Sequence, residues 1–491
     1  MSSSLKEKTI SGIGWSFTDN FFNLGINFVI GVILARLLSP SEFGLIGMLA
    51  IFIAVSQSFV DSGFSQALIR KQDCSEKDYS TVFYYNLAVG IIIYLILFFS
   101  ANAIANFFQE PKLVALVRVL SLSLIIKSVG IIQIAILTKR IDFKLKAKIS
   151  IIASVLSGAV AIGMAYQGFG VWSLVFRTLL LNLFTIGLLW LWNSWRPKLV
   201  FSLDSFRELF GFGSKLMLAG LLNTIHENIY YLIIGRFFAP ADLGFYKRAE
   251  EFKKLPSEKL NQIVSKVSYP VLSSVQDEQL KLKSGYKKII KSTMFISFTS
   301  MIGLSVVAKP MVVTLIGEQW LPTVPFLQLM CFAGMLYPLH ALNLNMLKVK
   351  GRSDLLLKLE IIKRVLSIPI ILIAIYVGII EMLIGKIVIS LIGYFLNSYW
   401  SGKMVNYPPK EQLMDIAPSF LIAITMGISV FALGNVLMLE PVLLLSAQVV
   451  VGVLIVLGIS ELIKFGTYFE IKEIAMGYLG KATKSLKSIY K

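Results

Sequence analysis

The sequence is short of charge, of cysteine and of histidine. Of its 491 residues, 15% are charged, against roughly 25% in a soluble domain, so a water-soluble enzyme or nucleic-acid-binding domain is excluded as the bulk of the chain. The two cysteines, Cys74 and Cys331, lie far apart; they match no metal spacing or disulfide framework and read as packing residues. His226 and His340 have no ligand set beside them, so no metal site is expected. A P-loop, an HExxH helix and a paired-acid metal motif are all missing. Connections on one face are too short to carry catalytic groups, so neither an enzyme, nor a cofactor, nor direct ATP use is expected. No run of roughly ten-residue strands with alternating polarity occurs, which excludes an outer-membrane barrel.

What remains is hydrophobicity, 56% of the chain. A helix of about 20 apolar residues crosses a hydrocarbon core roughly 30 Å thick. Fourteen such spans are predicted, at residues 10–38, 42–68, 79–108, 113–138, 146–167, 170–193, 206–234, 241–275, 285–316, 323–347, 355–378, 380–402, 412–437 and 440–463. The first is longer than the roughly 7–15 apolar residues of a signal peptide and has no small-residue cleavage site, so it reads as a membrane helix. The fold class is therefore all-α and polytopic.

Alternate connections collect the basic residues. One side holds Arg70, Lys71 and Lys77, then Lys139, Arg140 and Lys144, then Arg196, Lys198 and Arg207, and later Lys281, Lys283, Lys287, Lys348, Lys350 and Arg352. The other side holds only Arg36, Lys112, Arg118, Arg236 and Lys309. Under the positive-inside rule both termini are cytoplasmic. The net charge of +19 then anchors the cytoplasmic face against anionic headgroups and is no nucleic-acid footprint. Residues 464–491 alternate Lys with apolar side chains, as a basic amphipathic helix on the inner leaflet does.

"ARLLSPSEFGL" from Ala35 returns as "GRFFAPADLGF" from Gly235. At an offset of 200, Asn23 falls on Asn223, Arg36 on Arg236, Pro40 on Pro240, Glu42 on Asp242 and Gly44 on Gly244. The arginines suit a helix C-terminus, and each proline opens the next helix with an acid in its first turn. Ser39 with Glu42 forms a capping box that Ala239 cannot reproduce. Six spans per repeat, an even number, give two parallel, pseudo-symmetric lobes with a substrate site between them. The expected organisation is a lobe at 1–195, a cytoplasmic linker at 196–208, a second lobe at 209–403, two extra spans within 404–463 and a basic tail at 464–491.

The eighth span is crowded with charge. A Lys, Arg or Asp facing lipid near the bilayer centre costs roughly 2.5–3.5 kcal/mol, so these groups must face protein or water. Lys247, Glu250, Glu251, Lys254, Glu258, Asn261 and Ser265 form one helical stripe. The first span has Ser16, Asp19, Asn20, Asn23 and Asn27; the second has Gln57, Ser58, Asp61 and Ser65; the seventh has Lys215, Asn223, His226 and Glu227. These faces are expected to converge on one hydrated cavity. Lys127, Arg177, Lys386 and His340 are further ionisable groups inside spans, His340 reading as a packing residue.

"ARLLSPSEFGLIGM", "GFGVWSLV" at Gly168–Val175, "WRP" at Trp195–Pro197 and "LGFYKRAEEF" at Leu243–Phe252 resemble Wzx-type polysaccharide flippases, in the O-antigen and colanic-acid branch. These belong to the multidrug/oligosaccharidyl-lipid/polysaccharide exporter superfamily. The resemblance implies two six-helix lobes plus two helices, moving undecaprenyl-diphosphate-linked oligosaccharide across the bacterial cytoplasmic membrane by alternating access. It implies a monomer in membrane lipid, working beside a polysaccharide polymerase or glycosyltransferases. By that analogy Lys127, Lys215, Arg248 and Lys254 meet substrate anions, while Glu251 makes the stripe mixed in sign. The alternative is a cation-coupled exporter of small drugs or metabolites, with Asp19, Asp61 or Glu227 carrying the coupling ion.

Overall fold

A computed structural model describes residues 3–474 and Met476, and every regular element among them is helical. The side chains of Lys6, Lys8 and Ser16, and most of the tail from residue 475 on, lie outside the described residues. The first half runs through α1 (Ser3–Leu37), α2 (Pro40–Asp61), α3 (Phe64–Arg70), α4 (Glu76–Phe108), α5 (Leu113–Leu120), α6 (Leu122–Lys139), α7 (Phe143–Tyr166) and α8 (Val171–Trp192). Then come α9 (Leu203–Phe237), α10 (Pro240–Ser273), α11 (Gln279–Val306), α12 (Ala308–Ile316), α13 (Thr323–Gly334) and α14 (Tyr337–Val349). The chain closes with α15 (Ser353–Val377), α16 (Ile379–Val405), α17 (Pro409–Val436) and α18 (Pro441–Leu462).

Each of the fourteen predicted spans is helical. Four are broken in two, giving the pairs α2–α3, α5–α6, α11–α12 and α13–α14. The first break is a reversal of backbone sign, with Ser62 at φ 48° and Gly63 at φ 72°. Among the described residues, eleven helical stretches are long and apolar enough to cross a membrane. The three spans outside that set are α9, α10 and α15, which carry the polar and charged residues Lys215, Asn223 and Glu227, the α10 stripe, and Glu360, Lys363 and Arg364. The chain is an all-α, polytopic membrane protein. Its outward apolar side chains, such as Phe99 at 75% exposure and Leu454 at 62%, suit a lipid rather than an aqueous environment.

The chain folds as two compact units, Met1–Gly244 and Phe245–Lys491. In the first, α4 packs on α6, α6 on α8 and α7 on α8. In the second the equivalent pairs recur as α11 on α14, α14 on α16 and α15 on α16. The same neighbours at equivalent positions are what a duplicated sequence requires. α1 and α9 match in length, 35 residues each, and both have their arginine in the last turn. α2 opens with the predicted box: Ser39 N donates to Glu42 Oε2 at 2.7 Å and Glu42 N to Ser39 Oγ at 3.4 Å. α10 keeps half of it, Ala239 N donating to Asp242 Oδ2 at 3.2 Å.

Inside the first unit the opening turns of α2 and α10 cross backbone to backbone. A Cβ on Gly44 would sit 1.7 Å from the Pro240 carbonyl oxygen, and one on Gly244 would sit 2.0 Å from that of Pro40. The two contacts are each other's image under the repeat, and only glycine permits them. After α18 the chain turns at Lys464 and is helical again over residues 466–474, with Phe465 against Phe295 at 5.6 Å.

Candidate functional site

In the first unit, α1 lies along α7 and its polar face is already engaged there. Asn23 Nδ2 donates to Asp19 Oδ1 at 2.5 Å and to Ser150 Oγ at 2.9 Å, while Ser154 Oγ donates to Asn23 Oδ1 at 2.9 Å. Arg177 Nη2 donates to Asn27 Oδ1 at 2.8 Å, so Arg177 serves the same α1 face. On α2, Asp61 accepts from Ser65 Oγ at 2.5 Å, and Ser58 Oγ lies 3.4 Å from Thr224 Oγ1 of α9. Lys215 and Glu227 are exposed on α9. Lys127 is half-buried on α6; it has no hydrogen-bond or ion-pair partner among the described residues. A lone cation inside a membrane helix is costly, and no structural partner offsets that cost.

In the second unit, the α10 charges are arranged in pairs. Arg248 Nη1 meets Glu251 Oε2 at 2.6 Å, and the guanidinium stands 5.6 Å from the Trp320 ring centre. Its side chain is 8% exposed and that of Glu251 46%. One turn on, Lys254 Nζ lies 3.3 Å from Glu250 Oε2, with Lys254 45% exposed. Lys386 Nζ donates to Tyr246 Oη at 2.5 Å. The structure thus joins Arg248 to Glu251 and Lys254 to Glu250, leaving Glu251 and Lys254 as the accessible ends. His340 is held by Ser390 Oγ at 3.1 Å from Nε2 and by Asn397, a packing role. Trp320 and Tyr246 escaped the sequence reading because their partners lie far away in the chain; Trp320, in a connection, carried no helical periodicity.

The signature segments also meet. Glu42 of the first motif lies where a Gly170 side chain would begin, its Oε1 2.3 Å from that position, and Gly170 has φ +56°. The "WRP" segment docks on the start of α4: Trp195 Nε1 donates to Glu76 Oε2 at 3.1 Å, and Gln133 Nε2 donates to the Trp195 carbonyl at 3.1 Å. Beside it, Lys71 bridges Asp78 at 3.2 Å and Glu208 at 2.9 Å. The Glu208 carboxylate holds the Lys71 ammonium above the ordinary lysine pKa of 10.5. Motif residues therefore fasten connections between helices, while the α10 motif holds part-exposed charge, Glu251 and Lys254, inside a span.

Residues 33–325 match the family described as polysaccharide biosynthesis protein. The chain is 28% identical over 437 residues to the teichuronic acid biosynthesis protein TuaB of Bacillus subtilis (strain 168), covering 88% of this chain and 90% of that one. It is also 28% identical over 448 residues to the lipopolysaccharide biosynthesis protein WzxC of Escherichia coli (strain K12), covering 88% and 89%. Among solved structures, the lipid II flippase MurJ in an inward closed conformation aligns with a TM-score of 0.75 at 16% identity, over 92% of this chain and 98% of MurJ. An inward-facing multidrug resistance transporter of the MATE family, in the MOP superfamily, gives a TM-score of 0.61 at 18% identity, over 78% and 96%. At such identities the structures establish a shared fold, and the family match, which spans more than half of the sequence, establishes kinship: the chain belongs to the polysaccharide biosynthesis protein family.

Proposed function

We propose that the protein is a flippase carrying undecaprenyl-diphosphate-linked oligosaccharide across the bacterial cytoplasmic membrane by alternating access, for surface polysaccharide synthesis. The observation that carries the reading is the accessible charge of α10, Glu251 at 46% and Lys254 at 45% exposure, within a span of a polysaccharide biosynthesis protein. A glycan headgroup cannot cross hydrocarbon unaided because its hydroxyls lose their hydrogen bonds to water. Charged side chains at membrane depth replace that water. In this reading Lys127, Lys215, Arg248 and Lys254 meet the diphosphate or acidic sugars, Glu251 orients Arg248, and the lipid tail stays in the bilayer. The two six-span lobes follow residues 1–195 and 209–403, and both termini are cytoplasmic. The named roles of TuaB and WzxC in teichuronic acid and lipopolysaccharide biosynthesis favour a glycan over a drug. A lipid II flippase shares the fold.

The test is flipping in proteoliposomes loaded with an undecaprenyl-diphosphate oligosaccharide, scored by its access to an external glycosidase. Protein-dependent exposure that disappears in the Arg248→Gln/Lys254→Gln double variant is the expected result. No exposure, together with ion-driven efflux of a small cation lost in Asp19→Asn, Asp61→Asn or Glu227→Gln, would establish the exporter alternative.

A further inference from the structure

The first three turns of α11 border a cavity of ≈ 500 Å³, lined by Leu280, Ser284, four lysines and Glu470. The lysines, Lys283, Lys287, Lys288 and Lys291, follow at steps of four, one and three residues and share one helix face. Glu470 belongs to the helical segment 466–474, which closes the opposite wall. That wall is fixed by Phe465 against Phe295 at 5.6 Å, by buried Thr467 and by Glu470 at 3.6 Å from Lys288 Nζ.

The four cations are not equally committed. Lys283 and Lys287 reach Glu411 at 3.1 and 2.9 Å, and Lys287 also reaches Asp415 at 3.0 Å. Lys288 is 57% exposed beside its distant carboxylate, and Lys291 forms no ion pair among the described residues. One end of the cavity therefore sets two cations, Lys288 and Lys291, against the single carboxylate of Glu470. Beyond Lys291, α11 runs on as an apolar helix that exposes Ile296 at 40%. Cations at the mouth of a membrane-spanning helix, followed by its apolar turns, match the interface where phosphate groups sit above acyl chains.

We propose that this cavity binds the headgroup phosphate of an anionic phospholipid. Lys288 and Lys291 pair with the phosphate, and the acyl chains run along the apolar turns of α11 beyond Lys291. The bound lipid fastens the segment after α18 to α11. The proposal goes beyond the transport reading and needs only that α11 spans a bilayer, so transport activity does not enter its test.

The full-length protein is purified into phosphatidylcholine nanodiscs containing a minor fraction of phosphatidylglycerol, and co-purifying lipid is quantified by mass spectrometry. Phosphatidylglycerol enriched over its bulk fraction is expected for the wild type, with a loss of about thirtyfold in affinity in Lys288→Gln/Lys291→Gln. Ser284→Phe, which fills the cavity without changing charge, loses the enrichment too. Lys281→Gln, an exposed cation paired with Glu278 outside the cavity, keeps it. Unchanged enrichment in the lysine pair overturns the proposal whatever Ser284→Phe does. Displacement by millimolar inorganic phosphate would make this a free-phosphate site, and preference for undecaprenyl diphosphate would make it a substrate site; either result overturns the lipid assignment.

Discussion

Lys127 and Arg248 are both cations inside membrane-spanning helices, yet their surroundings ask different things of them. Arg248 is closed in by Trp320 and paired with Glu251, so the fold uses its charge. Removing the Glu251 carboxylate takes a charge-assisted hydrogen bond from this buried cation, which costs about 1.5–3 kcal/mol. Lys127 has no such partner among the described residues, so the fold bears its charge without return. The two sites therefore predict opposite dissociations. Lys127→Met should melt in detergent at the wild-type temperature or above it while glycan flipping falls steeply. Glu251→Gln should melt lower by the equivalent of that stability loss. Should Lys127→Met lower the melting temperature and leave flipping intact, Lys127 is a structural residue and has no place in the transport path.

At the scale of elements, the crossing of α2 and α10 is the tightest point described in the first unit. An alanine at Gly44 or Gly244 forces the two helix starts apart, because the obstacle is a carbonyl of the opposite backbone rather than a flexible side chain. Overpacking of this kind costs about 1–3 kcal/mol, so Gly44→Ala and Gly244→Ala should each lower the melting temperature and reduce flipping. Gly163→Ala in α7, where nothing lies within 4 Å of the new Cβ, should be neutral or stabilising by up to about 1 kcal/mol. Equal effects at all three positions would dismiss the crossing as a special contact. The repeat placed Gly44 over Gly244 in the sequence, and the capping box at Ser39 was readable for the same reason: both are local patterns. The purpose of the glycines was not readable, since it depends on which backbone lies opposite. The Ser62–Gly63 break escaped notice likewise, because an apolar run reports burial in lipid and is blind to a single reversal of φ.

For the whole molecule, hydrophobic runs carried nearly all of the architecture, because a bilayer imposes one length and one secondary structure on whatever crosses it. The charged spans α9, α10 and α15 were legible as helices in spite of their composition, since the runs on either side force them to cross. The pairings inside α10 needed coordinates: Arg248 lies off the predicted stripe and still meets Glu251 on it. Orientation is the remaining whole-molecule reading, and the charge asymmetry makes it sharp. Moving one elementary charge against the membrane potential is worth about 2.3 kcal/mol per 100 mV, and an inverted protein would have to carry most of its basic connections outward. Single cysteines in a variant lacking Cys74 and Cys331 test this directly. A membrane-impermeant maleimide should label Lys112→Cys and the fully exposed Met438→Cys in intact cells stripped of their outer envelope. Glu278→Cys and Arg352→Cys should react only once the membrane is broken. Labelling in the reverse order would turn the protein over, set the α11 cavity on the outer leaflet, and leave the basic connections without the anionic cytoplasmic surface that explains them.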